Sequence, residues 1–307
     1  MCNGTIMDKL ISFSLPLMLS GILQLMFNAV DIIVVGRFSG SQALAAVGST
    51  TALINVFTNL FIGISLGANV LAARFCAAGK DKEMSETVHT AITLALISGI
   101  IMAFVGLICA KPALALMDTP DDVIDLSSVY MRIYFLGMPF FMLYNYGAAI
   151  LRAVGDTKRP LLFLIIAGSV NVVLNLIFVI RFHMGVAGVA IATVISQAIS
   201  CVLVLRCLYR SEGSYQLRFS KLTIKSFYLK QIFQVGIPAG IQSTVINISN
   251  ALLQSSVNSF GSIAMAGYTA ANNILGFLYA AVNSITQECM SFTSQNYGVG
   301  KLSLIHI

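Results

Sequence analysis

The sequence predicts an all-α polytopic membrane protein, built as two halves in parallel repeat. Three observations carry that prediction. Hydrophobic residues make up 57% of the 307 and charged residues only 10%, whereas soluble domains run near a quarter charged because a folded surface must be wetted. Eight apolar runs each reach the ~20 residues that a spanning helix needs. The first two of those runs recur in the last two. With 18 Lys+Arg, 12 Asp+Glu and a mean hydropathy of +0.88, the chain cannot coat a globule of 32.9 kDa. A soluble enzyme, a disordered chain and a collagen-like fibre are excluded.

The spans are read as 11–36, 44–73, 88–110, 129–151, 161–180, 185–205, 232–258 and 265–290. The first lies between Lys9 and Arg37; Asp31 within it and the spans behind it argue against a cleaved secretion signal. The second ends before Arg74, Lys80 and Lys82, and the third runs up to Lys111. The acidic loop MDTPDDVID (117–125) leads into the fourth, which has Arg132 near its start and Arg152, Lys158 and Arg159 after it. The fifth, LLFLIIAGSVNVVLNLIFVI, is too long and too free of turn signals for barrel strands. Arg181 closes it. The sixth is followed by a basic stretch holding Arg206, Arg210, Arg218, Lys221, Lys225 and Lys230, and the eighth by Lys301. Placing the N-terminus inside leaves only Arg37, Lys111, Arg132 and Arg181 on the outer side. That bias orients the chain by the positive-inside rule, in the cytoplasmic (inner) membrane.

The net charge of +6 is therefore a loop excess and no sign of nucleic acid. Cys2, Cys76, Cys109, Cys201, Cys207 and Cys289 form no CxxC pair, so neither a disulfide scaffold nor a zinc site is expected.

Sliding the chain on itself by 221–222 residues pairs Pro16 with Pro238, Asn28-Ala29 with Asn250-Ala251 and Phe38 with Phe260. Gly40-Ser41 then meets Gly261-Ser262, and Gly79-Lys80 meets Gly300-Lys301. Six spans separate the copies, so both halves enter the membrane in the same sense, related by an axis along its normal. The expected domains are an N-terminal six-helix bundle (1–205), a basic cytoplasmic linker (206–231) and the start of a C-terminal bundle (232–307). By the repeat, roughly four helices of the second half are expected beyond the tail LSLIHI (302–307).

Ionisable groups inside a membrane are functional candidates, since each costs about 2.5–3.5 kcal/mol or more at mid-bilayer. Asp31 lies six residues before Arg37 and Asn175 six before Arg181, each ~9 Å below the outer helix end at 1.5 Å per residue. Asn171 sits one turn further in on the face of Asn175, Thr193 at a similar depth in the sixth span, and Asn28 one turn below Asp31. These five are expected to meet in one outward-leaning pocket. Asp31 supplies a titratable charge, while the amide and hydroxyl oxygens are hard ligands for Na⁺ or partners for a proton. The same Asn and Thr would also serve as interhelical glue. Glu288, near the inner end of the eighth span, either faces a cavity or snorkels to the cytoplasmic boundary, and snorkelling is the favoured reading. Pro16 and Pro238 either mark a first turn or bend their helices.

The segment SLPLMLSGILQLMFNAVDIIVVGRFSGSQALAAVG (14–48), the loop ILRAVGDTKRP (150–160), NVVLN (171–175) and QNYGVGK (295–301) together resemble the multidrug and toxic compound extrusion (MATE) family, of prokaryotic type. The resemblance implies two six-helix bundles around a central cavity. It also implies export of organic cations or other amphipathic compounds against inward Na⁺ or H⁺. Asp31 matches the family's first-helix carboxylate, Asn171 its fifth-helix Asn and Thr193 a sixth-helix Thr. Asn175 departs from the pattern, because many prokaryotic members carry Asp there. The seventh-helix acid of some members is also missing. Gln242, Asn247 and Asn250 stand there instead as candidate cavity residues, and Leu253 is opposite Asp31 in the repeat.

No enzyme is expected: His89, His183 and His306 lie near span ends or in the tail, without HExxH. A lipid-linked oligosaccharide flippase is the alternative, and would place several cations in its cavity to hold pyrophosphate. Apart from Arg132 these spans have none. The expected protein is a monomeric secondary antiporter for small cationic, amphipathic molecules. It needs no cofactor, only Na⁺ or H⁺ as coupling ion, and no metal beyond Na⁺ at Asp31.

Overall fold

A computed structural model of the chain describes residues 6–116, 121–258 and 262–301. The tail 302–307 and the first part of the acidic loop lie outside the described residues. Among those described, every regular element is helical: α1 (Ile6–Phe38), α2 (Ser41–Ala77), α3 (Asp81–Leu116), α4 (Asp121–Leu136), α5 (Met138–Ala153), α6 (Lys158–Leu176), α7 (Gly185–Arg210), α8 (Ser226–Asn258) and α9 (Ser262–Gly298). Five are long and apolar enough to cross a membrane, six when the bent pair α4–α5 is taken as one span. Helices α8 and α9 run 33 and 37 residues, about 50 and 55 Å at 1.5 Å per residue.

Two expected straight spans are not straight. The span at 129–151 breaks at Gly137, where α4 and α5 meet at 48°. Pro139 stands in the first turn of α5; it has no N–H to donate and disfavours helical geometry just before it. Gly137 accepts the freed bonds from the N–H groups of Phe140 and Phe141, both at 3.1 Å. The span at 161–180 ends in a π-helical turn, Ile177–Arg181, directly after Asn175. Pro16 and Pro238 lie inside α1 and α8, well past their first turns.

The core of the first bundle forms where α2, α3, α4, α5 and α7 interlock through Met84, Val88, Met102, Met131, Phe135, Met142 and Leu208. The outer face of α3 instead exposes Ile97, Ile101, Phe104 and Ile108, which suits lipid, a solvent as apolar as the side chains themselves.

Helices α8 and α9 join this bundle through α2 and α1. Along α2 and α8, Gly63 faces Gly240 and Gly67 faces Gly236, so near that a Cβ at any of the four would strike backbone of the other helix. Each helix thus presents a GxxxG pair, the small-residue pattern that lets membrane helices touch along their backbones. Helix α2 also packs on α9, where the hydroxyl of Ser291 donates to Asn69 Oδ1 at 2.9 Å across 222 residues. In the 221-residue register that holds from Gly40 onward, the counterpart of Asn69 is Met290, so this bond reaches the residue next to it. The repeat shows in the helix ends. Gly79 and Gly300 adopt φ 65° and 72°, and the following Lys80 and Lys301 N–H groups reach back to Phe75 and Asn296 at 3.1 and 3.0 Å. Both are the left-handed cap for which glycine is favoured.

Candidate functional site

Four of the five residues expected in the outer pocket come together. Asn175, fully buried, donates from Nδ2 to Asp31 Oδ1 and to Asn171 Oδ1 at 3.2 Å. Asn171 Nδ2 donates in turn to Thr193 Oγ1 at 3.4 Å, whose hydroxyl is anchored on the Val189 carbonyl at 2.9 Å. One hydrogen-bonded chain therefore links α7, α6 and α1 and ends on a carboxylate. The i,i+4 spacing of Asn171 and Asn175 puts both amides on the face of α6 that α1 and α7 cover. Asn175 Oδ1 is buried with no hydrogen-bond partner among the described residues, an acceptor beside a carboxylate that suits a cation or an O–H donor.

The remaining candidates stand apart. Asn28 is exposed on α1 and takes no part in the chain. Gln242 and Asn250 are exposed on α8, and Asn247 spends its Nδ2 on its own helix, donating to the Ser243 carbonyl at 2.8 Å. None of the three is drawn to Asp31, because α8 packs on α2, α3 and α9.

Three residues that the sequence did not single out border the site. Tyr130 and Tyr134 of α4 stack at 6.1 Å within electrostatic reach of Asp31. Gln197 of α7 lies beside Tyr134, with its Oε1 buried and unpartnered among the described residues.

The MatE family model matches residues 16–177, more than half of the chain. The chain belongs to the MatE family. A probable multidrug resistance protein of Bacillus subtilis, YoeA, is 32% identical over 300 residues, 94% of this chain and 64% of the relative. The multidrug export protein MepA of Staphylococcus haemolyticus is 23% identical over 301 residues, 96% of this chain and 65% of the relative. The chain thus spans less than two thirds of the length of these relatives. Among solved structures, a MATE in the bent conformation superposes with a TM-score of 0.90 at 24% identity, covering 98% of this chain and 68% of the other. The outward-facing conformation of a multidrug resistance MATE family transporter of the MOP superfamily gives 0.90 at 23%, covering 97% and 66%. At such identities the superposition speaks for the fold, two six-helix bundles. This MATE chain is a multi-pass membrane protein.

Glu288 is a correction. It does not snorkel: it is 2% exposed, set beside Ser14 of α1, with Oε1 unpartnered among the described residues. Ser284, Glu288, Ser291 and Gln295 are all buried and fall on one face of α9, a spacing the sequence displayed all along. Around them α9 and α2 are tied to each other and to the end of α5. Asn69 Nδ2 donates to the Ala149 carbonyl at 2.7 Å and Gln295 Nε2 to the Ala153 carbonyl at 2.8 Å.

Proposed function

We propose that this protein is a secondary antiporter that exports cationic, amphipathic small molecules in exchange for Na⁺ or H⁺ entering at Asp31. The observation that carries this reading is the hydrogen-bonded chain that ends on a single intramembrane carboxylate. A carboxylate at that depth is costly to hold and poor as mere glue. Asn175 fixes its orientation, while the unpartnered Asn175 Oδ1 supplies an oxygen for an incoming Na⁺ or for the O–H of a protonated Asp31. Loading the ion from outside cancels the charge that attracts a cationic substrate, and the substrate leaves. Return of the empty carrier requires the ion to depart on the other side. Each ligand shifts the alternating equilibrium only by its differential affinity for the two states.

The positive-inside bias supports an inside N-terminus in the cytoplasmic membrane. The multidrug relatives support drug export over the flippase alternative, as does the lack of clustered cations around Asp31 among the described residues.

The deciding measurement is efflux of a fluorescent organic cation by wild type and Asp31→Asn, under separate Na⁺ and H⁺ gradients. Export by wild type alone supports coupling at Asp31, and the gradient that drives it names the ion. Equal export by the mutant removes Asp31 from the coupling role. Retention of the dye by wild type overturns organic-cation export.

A further inference from the structure

Glu288 lies far from the Asp31 network. Ser14 and Asp31 are 17 residues apart on α1, so the two acids are separated by about 25 Å along that helix at 1.5 Å per residue. Glu288 sits toward the beginning of α1 instead, beside Ser14. Its helix packs on α1, α2 and α8, and none of these gives it an ion pair among the described residues. Asp8 and Lys9 belong to the first turn of α1, more than a turn before Ser14. Arg74 of α2 is engaged over the Tyr297 ring at 4.9 Å. Lys230 of α8 is exposed near the start of that helix. On α9 itself the neighbouring titratable groups are Cys289, which is exposed, and Tyr297. Glu288 joins no ion pair among the described residues.

A charge buried without a partner is among the most expensive features a protein can hold, and such a group neutralises instead. The seal around Glu288 is also conditional. It depends on α9 lying against α1 and α2, and it is held by the Ser291–Asn69 bond and the ties of Asn69 and Gln295 to α5. An alternating-access cycle must break that seal, and water would then reach the acid.

We propose that Glu288 is a second proton-binding site, loaded when the N-terminal side of the transporter closes and emptied when it opens. Closure transfers one proton from the aqueous phase on that side to the Glu288 carboxylate, and opening returns it to the same phase. The inference rests on the alternating-access reading above, but not on the identity of the exported molecule. Its sign follows from proton counting. The closed state binds one more proton than the open state, so closure is favoured at low pH on that side and opening at high pH. The pH on the N-terminal side, cytoplasmic in the proposed orientation, thereby sets how readily the inner gate opens.

The test is hydrogen exchange of the purified protein across a pH series. Exchange is expressed as protection factors, so that the intrinsic pH dependence of amide chemistry divides out. In wild type, protection of residues 284–298 and of the first turns of α1 falls as pH rises, by at most ~tenfold per pH unit for a single proton. In Glu288→Gln and in the apolar Glu288→Met it stays level, while the α3–α5 core remains as protected as in wild type. Protection that is flat with pH in wild type overturns the proposal. So does a pH dependence that survives in both variants. Because nothing is transported in this experiment, a wild type that fails to export dye removes the drug-export reading and leaves the exchange contrast to decide Glu288.

Discussion

At Asp31 the bonds differ enough in length and charge to rank their contributions. The Asn175 amide donates to a carboxylate, and hydrogen bonds to charged groups contribute about 1.5–3 kcal/mol. The Asn171–Thr193 bond is neutral and long at 3.4 Å, near the lower end of about 0.5 kcal/mol. Asn175→Leu is therefore expected to raise the half-saturating concentration of the coupling ion by ~tenfold or more, since 1.4 kcal/mol is a factor of ten. Thr193→Val should change it by only about twofold. The check is efflux rate against coupling-ion concentration for both variants, and a larger effect at Thr193 than at Asn175 would reverse the assignment. This part of the site was legible because Arg37 and Arg181 mark the outer helix ends, and counting inward from them gives depth. Counting gives no azimuth, which is why Asn28 was drawn into the pocket although the structure leaves it exposed. Tyr130, Tyr134 and Gln197 escaped notice because aromatic residues and an amide in an apolar run look like ordinary packing until a bend turns them toward an acid.

Among the elements, the crossing of α2 and α8 depends on glycine more than on any large side chain. A methyl group at Gly67 would meet the Ile232 carbonyl, and one at Gly236 would meet Ile64 backbone, so neither contact can be relieved by a rotamer change. Overpacking of this kind costs typically 1–3 kcal/mol. Gly48 on the same helix has nothing within 4 Å of the same position, and there alanine gains the ~1 kcal/mol of helix propensity that glycine lacks. Gly67→Ala and Gly236→Ala should each lower the thermal midpoint of the purified protein, and Gly48→Ala should hold or raise it. Equal behaviour at all three positions would mean that the close approach is absent in the folded protein. Helix positions were readable from apolar run length alone, yet the break at Gly137 was not. Its cause is local, Pro139, but composition across the span stays uniformly apolar, and a hydropathy reading sees no interruption. The π-helical turn after Asn175 is hidden for the same reason.

The whole molecule carries its duplication in contacts as well as in sequence. Asn69 bonds Ser291, the residue next to its repeat counterpart Met290, and the α1–α9 and α2–α8 packings are the same pairing seen from each half. The repeat was legible because Pro, Asn and the Gly-Lys caps keep their order. How the halves are tied was not, because the partners lie more than a hundred residues apart. The linker after α7 shows this best. Arg218 N–H donates to His89 Nε2 at 3.1 Å, while His89 Nδ1 is satisfied by the Ser85 carbonyl at 2.6 Å. Further along, Lys225 N–H donates to Thr90 Oγ1 at 3.3 Å. His89 is 3% exposed, and its Nε2 accepts the linker bond. A histidine that sequence placed at a span end is thus the post to which the connection between halves is fastened. Removing it costs the linker one part-buried hydrogen bond, about 0.5–1.5 kcal/mol. Local opening of the linker should then become ~2- to 12-fold more frequent at 1.4 kcal/mol per factor of ten. Limited trypsin digestion at Arg218, Lys221 and Lys225 reads this directly. His89→Leu, which keeps the bulk but not the acceptor, should be cut faster than wild type by a factor in that range. Cleavage at the wild-type rate would show that packing alone, without the imidazole bond, holds the linker against α3.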